Sequence, residues 1–217
     1  MKKYLLVLSV ALLAMACSNS AKNKIEATDS QEVAAGGGVK LVVDKDASVI
    51  NWKGTKPGGG HHGTVKIKEG ELTLEGTDVT SGKFVIDMNS IVNEDLTDKG
   101  MNEMLVNHLK SADFFDVEKY PEAVFSITKI EPVTGDSSAT YNVSGNLKMK
   151  DVEKNITFGA NITKEGNAYK AVSVPFTINR VQWNVQYGSK SLFANLKDKV
   201  IHDDIELQIV VVAHPQN

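Results

Sequence analysis

The scarce reactive side chains of this chain are five histidines, one cysteine and one arginine, Arg180. His61 and His62 are adjacent, and with His202, Asp203 and Asp204 they could supply nitrogen and oxygen ligands to a metal ion. Neighbours on an extended chain point to opposite sides, however, and neither group is followed by another histidine at a ligand-like spacing. A polar loop, or one histidine at a rim, explains them more simply, so no metal and no cofactor are expected. Asp113, Asp116, Glu118 and Glu122 crowd a turn and the start of a strand, where capping and solvation account for carboxylates without acid–base work. The chain has no G-x-S-x-G elbow to present a serine nucleophile. Arg180 carries a planar fork suited to a bidentate pair with an internal carboxylate or to a ligand headgroup, and the first is the simpler reading. No catalytic centre is legible.

Large apolar side chains are plentiful instead. Trp52, Phe84, Ile86, Met88, Phe125, Ile127, Phe158, Phe176 and Trp183 each suit a plain core. Together with Met101, Met104 and Leu105 they would also make an adaptable lining, because unbranched methionine fits around a flexible chain. The elements that must carry them have period two. Ile50 and Trp52, Val65 and Ile67, Leu72 and Leu74, and Tyr141, Val143, Leu147 and Met149 alternate with polar residues. So do Ile156, Phe158 and Ile162, then Val172, Val174, Phe176 and Ile178 in one phase, then Ile205, Leu207 and Ile209. A buried Asp87 would need a partner, so Phe84, Ile86 and Met88 should face inward, joined by Phe125 and Ile127. Turn signals stand at 68–70, 135–136 and 165–167. Met101, Met104, Leu105, His108 and Leu109 fall at helical spacing, with Asp95 or Thr97 as a cap and Ser111 opening a following turn.

The two ends set the context. Lys2 and Lys3 precede an apolar run from Tyr4 to Ala16, too short to span a bilayer and laid out as a secretory signal. Leu13-Ala14-Met15-Ala16-Cys17 resembles a bacterial lipoprotein lipobox, and Cys17 is the single cysteine, so acylation explains a thiol that has no disulfide partner. The expected organisation is a signal peptide over 1–16, a lipidated Cys17 with a flexible tether to residue 38, and one domain over 39–217 that folds without them. The tether follows from small, polar and charged residues ending in Gly36-Gly37-Gly38. Loss of Lys2 and Lys3 takes the formal charge from −3 to −5, which leaves no basic footprint for nucleic acid. The location expected is the envelope of a Gram-negative bacterium, on the periplasmic face of a membrane, the outer one by default. A homodimer stays open.

The order of several segments resembles the YceI-like family. Ser111 to Ile130 (SADFFDVEKYPEAVFSITKI) carries an FFD turn, then YP, then an A-x-F strand. Phe84 to Ile91 matches the strand before it, Tyr141 to Phe158 the G-x-L hairpin, Phe176 to Val185 the arginine-containing strand, and Trp52 to Val65 the histidine-glycine opening. Val152-Glu153-Lys154 departs from the glycine-containing turn usual there. The resemblance implies an all-β fold, an eight-stranded antiparallel lipocalin-like barrel with a short helix at its mouth, whose interior holds a polyisoprenoid or quinone-type lipid. An eight-stranded barrel can equally be filled by its own side chains, so a non-catalytic structural barrel is the alternative. An enzyme acting on an isoprenoid substrate lacks a constellation to support it.

Overall fold

The structure, a computed structural model, describes residues 23–135 and 138–216; the signal segment and Cys17 lie outside them. Alternating residues build β1 (Thr28–Asp29), β2 (Val39–Val43), β3 (Val49–Lys56), β4 (Gly59–Glu75) and β5 (Asp78–Asn93). After α1 (Lys99–Lys110) come β6 (Glu122–Pro132), β7 (Tyr141–Met149), β8 (Val152–Glu165), β9 (Ala168–Ser173), β10 (Phe176–Asn179) and β11 (Asp204–Pro215). The ring β3-β4-β5-β6-β7-β8-β9-β11 closes on itself through eight antiparallel pairings. β2 continues the wall below β3, bonded to β4 and β11, and β10 flanks the first residues of β11. Closure leaves few unpaired edges.

Bulges and one proline set which residues face inward. The run at 68–70 is not a turn: β4 passes through it, with a register shift between Ile67 and Glu69. The extra residue moves the inward phase from Val65 and Ile67 to Leu72, all three of which line the interior. The turn itself comes at Gly76, whose φ of 65° suits glycine. Val172 and Val174 likewise do not share a face with Phe176. Tyr169, Ala171 and Ser173 point inward, then Phe176 and Ile178, because the chain breaks phase at Pro175, which has no N–H for a ladder. At Met149-Lys150-Asp151-Val152, Lys150 takes a left-handed φ of 55° where glycine is usual. Its ammonium donates to the carbonyls of Phe114 and Asn184, tying that turn to its neighbours.

Residues 23–38 differ most from expectation. They form a strap bound to the barrel, not a free tether. Asn23 and Ile25 pair with Thr177 of β10, and β1 pairs with Asn155 and Lys154 of β8, so this segment fills the wedge between those two strands. Ile25 and Ala27 pack on the core. The strap then crosses the outer wall. The Asn146 side chain accepts from Gln31 N–H (2.9 Å) and donates to Gln31 C=O (2.7 Å), and Ala34 N–H donates to Ile127 C=O. Composition measures the apolar surface a segment can bury, but the unpaired backbone edges of β8 and β10 offer hydrogen bonds that composition does not see.

α1 sits over one end of the ring. Its N-cap is Asp98, whose carboxylate accepts from Met101 N–H at 2.8 Å, and neither Asp95 nor Thr97. Ser111 closes the helix as C-cap.

Candidate functional site

The barrel is not filled. A cavity of about 390 Å³ runs inside it, within the usual range for small-molecule sites. Along β4 its lining extends from His61 at the helix-covered end to Leu72, roughly 35 Å of strand path. Four phenylalanines from four strands form a belt: Phe84–Phe125 at 6.3 Å, Phe125–Phe158 at 5.7 Å and Phe158–Phe176 stacked at 4.6 Å between centroids. Gly145 makes room for it, since a Cβ there would meet the Phe125 ring at 2.3 Å. Thus the three residues of the G-x-L hairpin have separate tasks: Gly145 seats a ring, Asn146 binds the strap and Leu147 lines the cavity.

Of the residues expected in the lining, Trp52, Phe84, Ile86, Met88, Leu105, Phe125, Ile127, Phe158 and Phe176 are there. Three are not. Met101 and Met104 are 57% and 72% exposed, because α1 turns Leu105, His108 and Leu109 toward the opening instead. Trp183 is fully buried in a 3-10 turn, Arg180–Trp183, and donates its indole N–H to Leu147 C=O at 2.9 Å, outside the lining. Helical spacing identifies a face but not which turn of the helix overhangs the opening. Sequence reasoning missed Met149, Tyr169 and Val185, which the same alternation or the arginine-strand neighbourhood could have flagged.

Polar residues collect at the mouth. His61 Nδ1 lies 2.8 Å from Asp95 Oδ2, and Asp95 Oδ1 accepts from His62 N–H at 2.8 Å and from the Asn93 amide at 2.6 Å. Burial raises the Asp95 pKa, but these hydrogen bonds and the His61 ring outweigh it and bring it down to about 2. Asp95 is therefore a carboxylate near neutrality and can only accept, so His61 Nδ1 carries the proton. His202 Nδ1 is 2.8 Å from Thr55 Oγ1, and His202 N–H donates to Thr55 C=O. His108 stands edge-on to Phe114 and Tyr187 and bonds Asp113 through Nε2. His62 bonds the dyad through its backbone N–H, while its ring is 58% exposed with Nδ1 3.9 Å from Asp95 Oδ1. Among the described residues no three His, Cys, Asp or Glu side chains come together as a metal site.

Arg180 is 2% exposed and is both wall and brace. It donates to the carbonyls of His202 (3.1 Å), Val185 (2.7 Å) and Ile201 (3.2 Å), with Asp203 3.7 Å away and Phe114 under its plane. Burial lowers its pKa and Asp203 opposes that shift. Asp203 is thus the internal carboxylate of the local reading, yet backbone carbonyls do most of the binding. The guanidinium ties the 180–203 connection to the rim.

Residues 41–213 match the YceI-like domain family. The chain is 34% identical over 130 residues to a UPF0312 protein of Pseudomonas putida strain GB-1, covering 57% of this chain and 62% of that one. It therefore spans about three fifths of the length of the curated relatives it matches. Among solved structures it is similar to Burkholderia cenocepacia BcnA, with a TM-score of 0.62 and 22% identity, covering 78% of this chain and 98% of that one. It is also similar to a polyisoprenoid binding domain from Saccharophagus degradans implicated in plant cell wall breakdown, with a TM-score of 0.58 and 16% identity, covering 83% and 100%. These likenesses show the fold.

Proposed function

This chain belongs to the YceI-like family, and from that premise we propose that it holds a long apolar lipid of polyisoprenoid or quinone type inside its barrel, as a non-catalytic carrier or buffer in the cell envelope. The carrying observation is the cavity, unfilled by side chains and lined mainly by apolar residues, with His61, His202 and Arg180 at its mouth and Ser173 and Tyr169 the polar-bearing residues deeper in. A buried hydrocarbon tail gains about 0.8 kcal/mol per CH₂, so ten carbons supply roughly 8 kcal/mol before entropic costs. The solved neighbour named as a polyisoprenoid binding domain supports the same ligand class. A barrel filled by its own side chains would have no such space, which favours the carrier over the structural alternative.

Acylation of Cys17 would hold the barrel at a membrane. Cys17 precedes Asn23, where the strap meets the wall, by six residues, a reach of at most roughly 20 Å. Protein purified from its native membranes and extracted with organic solvent should release one stoichiometric long-chain lipid by mass spectrometry. Extraction that yields none would leave the structural barrel as the better account. Cys17→Ala should move the protein from the membrane to the soluble fraction; wild type already soluble after export would defeat the anchor.

A further inference from the structure

The mouth presents a hydrogen-bond acceptor that no protein group uses. His61 gives Nδ1–H to Asp95, which in the neutral imidazole leaves Nε2 as a lone pair with no protein donor among the described residues, on a side chain that lines the cavity. The dyad is built: Asp95 is anchored by a backbone N–H and the Asn93 amide, and Asn93 is itself 7% exposed. Across the tip of β3, His202 also commits Nδ1, to Thr55, so a second Nε2 stands free at the same rim. Trp52, which lines the cavity two residues before Gly54 of that rim, buries its indole N–H without an acceptor. Two cations border the lining: Arg180 already spends donors on three backbone carbonyls, and Lys56 stands exposed at the end of β3.

A free acceptor, a free nitrogen of either sense and an unpaired donor are matched together by one group, a hydroxyl, which both donates and accepts. We propose that the mouth of the barrel is a headgroup site for a lipid alcohol, with the ligand O–H donated to His61 Nε2 and Asp95 acting as the positioning residue that holds the imidazole in the accepting tautomer. A carbonyl head has no proton to give this nitrogen. A phosphate finds no free guanidinium and only the exposed ammonium of Lys56 at the end of β3, which makes it the competing head that the test must separate. This inference rests on the lipid-binding reading and adds the chemistry of the head to that of the tail.

The test compares four probes on the mature chain: a long-chain polyprenol, the corresponding aldehyde, the corresponding monophosphate, and squalene as a headless hydrocarbon. Dissociation constants are measured by displacement of a fluorescent lipid. The alcohol should bind about tenfold tighter than the aldehyde or squalene, the equivalent of one net hydrogen bond. His61→Phe should abolish that preference while leaving squalene unchanged, so the hydrocarbon arm doubles as the fold control. Asp95→Asn, which can donate to Nδ1 and turn Nε2 into a donor, should narrow the gap by strengthening the aldehyde. If His61→Phe loses squalene as well, Asp95→Asn decides alone. An aldehyde equal to the alcohol in wild type, a preference that survives in both variants, or a monophosphate that binds tightest would overturn the hydroxyl site. Binding of none of the four would bring down the lipid-binding reading with it, whereas squalene bound without any head preference removes only this inference.

Discussion

Replacing Asn146 by alanine tests whether the N-terminal strap belongs to the fold. Asn146 is 4% exposed and its amide makes both bonds to the Gln31 backbone, while its oxygen also accepts from the Asn155 amide at 2.9 Å. Alanine removes all three. At roughly 0.5–1.5 kcal/mol net per bond, with Asn155 left short of an acceptor, the loss should be about 2–3 kcal/mol. For a domain of this size that lowers the melting temperature by roughly 5–10 °C. Circular dichroism on heating gives the first readout. Amide exchange at Ile25 and Ala34, which donate to Thr177 and Ile127, gives the second and should quicken in the variant. Removing residues 23–38 should destabilise further, since it empties the wedge between β8 and β10. If the variant melts with wild type and those amides exchange freely in both, the strap is a tether after all and its described contacts contribute nothing.

Met88 faces the cavity, so Met88→Trp should displace bound lipid at little change in stability, whereas a packed core would lose about 1–3 kcal/mol; ligand retention and thermal unfolding measured together separate the two. Arg180→Met should be the most damaging single change, about 3–5 kcal/mol by urea unfolding, because it leaves three rim carbonyls and Asp203 without their cation. Asp95 has a folded pKa of about 2, below its unfolded value near 4, so its contribution is complete above about pH 4 and is lost as pH falls through 2. With its side chain 22% exposed, that contribution is about 1–2 kcal/mol after screening, and Asp95→Asn should flatten the acid limb of an unfolding-versus-pH curve by that amount. An acid limb identical in the two proteins would show that the dyad contributes nothing to stability.

Alternation along the chain was enough to assign an all-β fold, the barrel being what the family resemblance implied, and to place Phe84, Ile86, Met88, Phe125 and Ile127 on its inner face, because a strand's side-chain period is a local property of the backbone. Adjacency marked His61 and His62, and rarity marked Arg180 as the single arginine. Where alternation is interrupted the sequence is ambiguous. A bulge at 68–70 looks like a turn, and Pro175 shifts the phase between Ser173 and Phe176 without any change in the apolar pattern. Other features depend on partners far along the chain. The order of strands in the ring brings Asp95 to His61, Thr55 to His202, and Asn146 to Gln31, 115 residues away. Helical spacing grouped Met101 and Met104 with Leu105, but only the seating of α1 on the rim decides that the first two face solvent. Local periodicity determined the fold class and the apolar face; closure of the ring decided the empty interior, the strap in its wall and the paired histidines at its mouth, because each of these is a contact between segments that no short window of sequence contains.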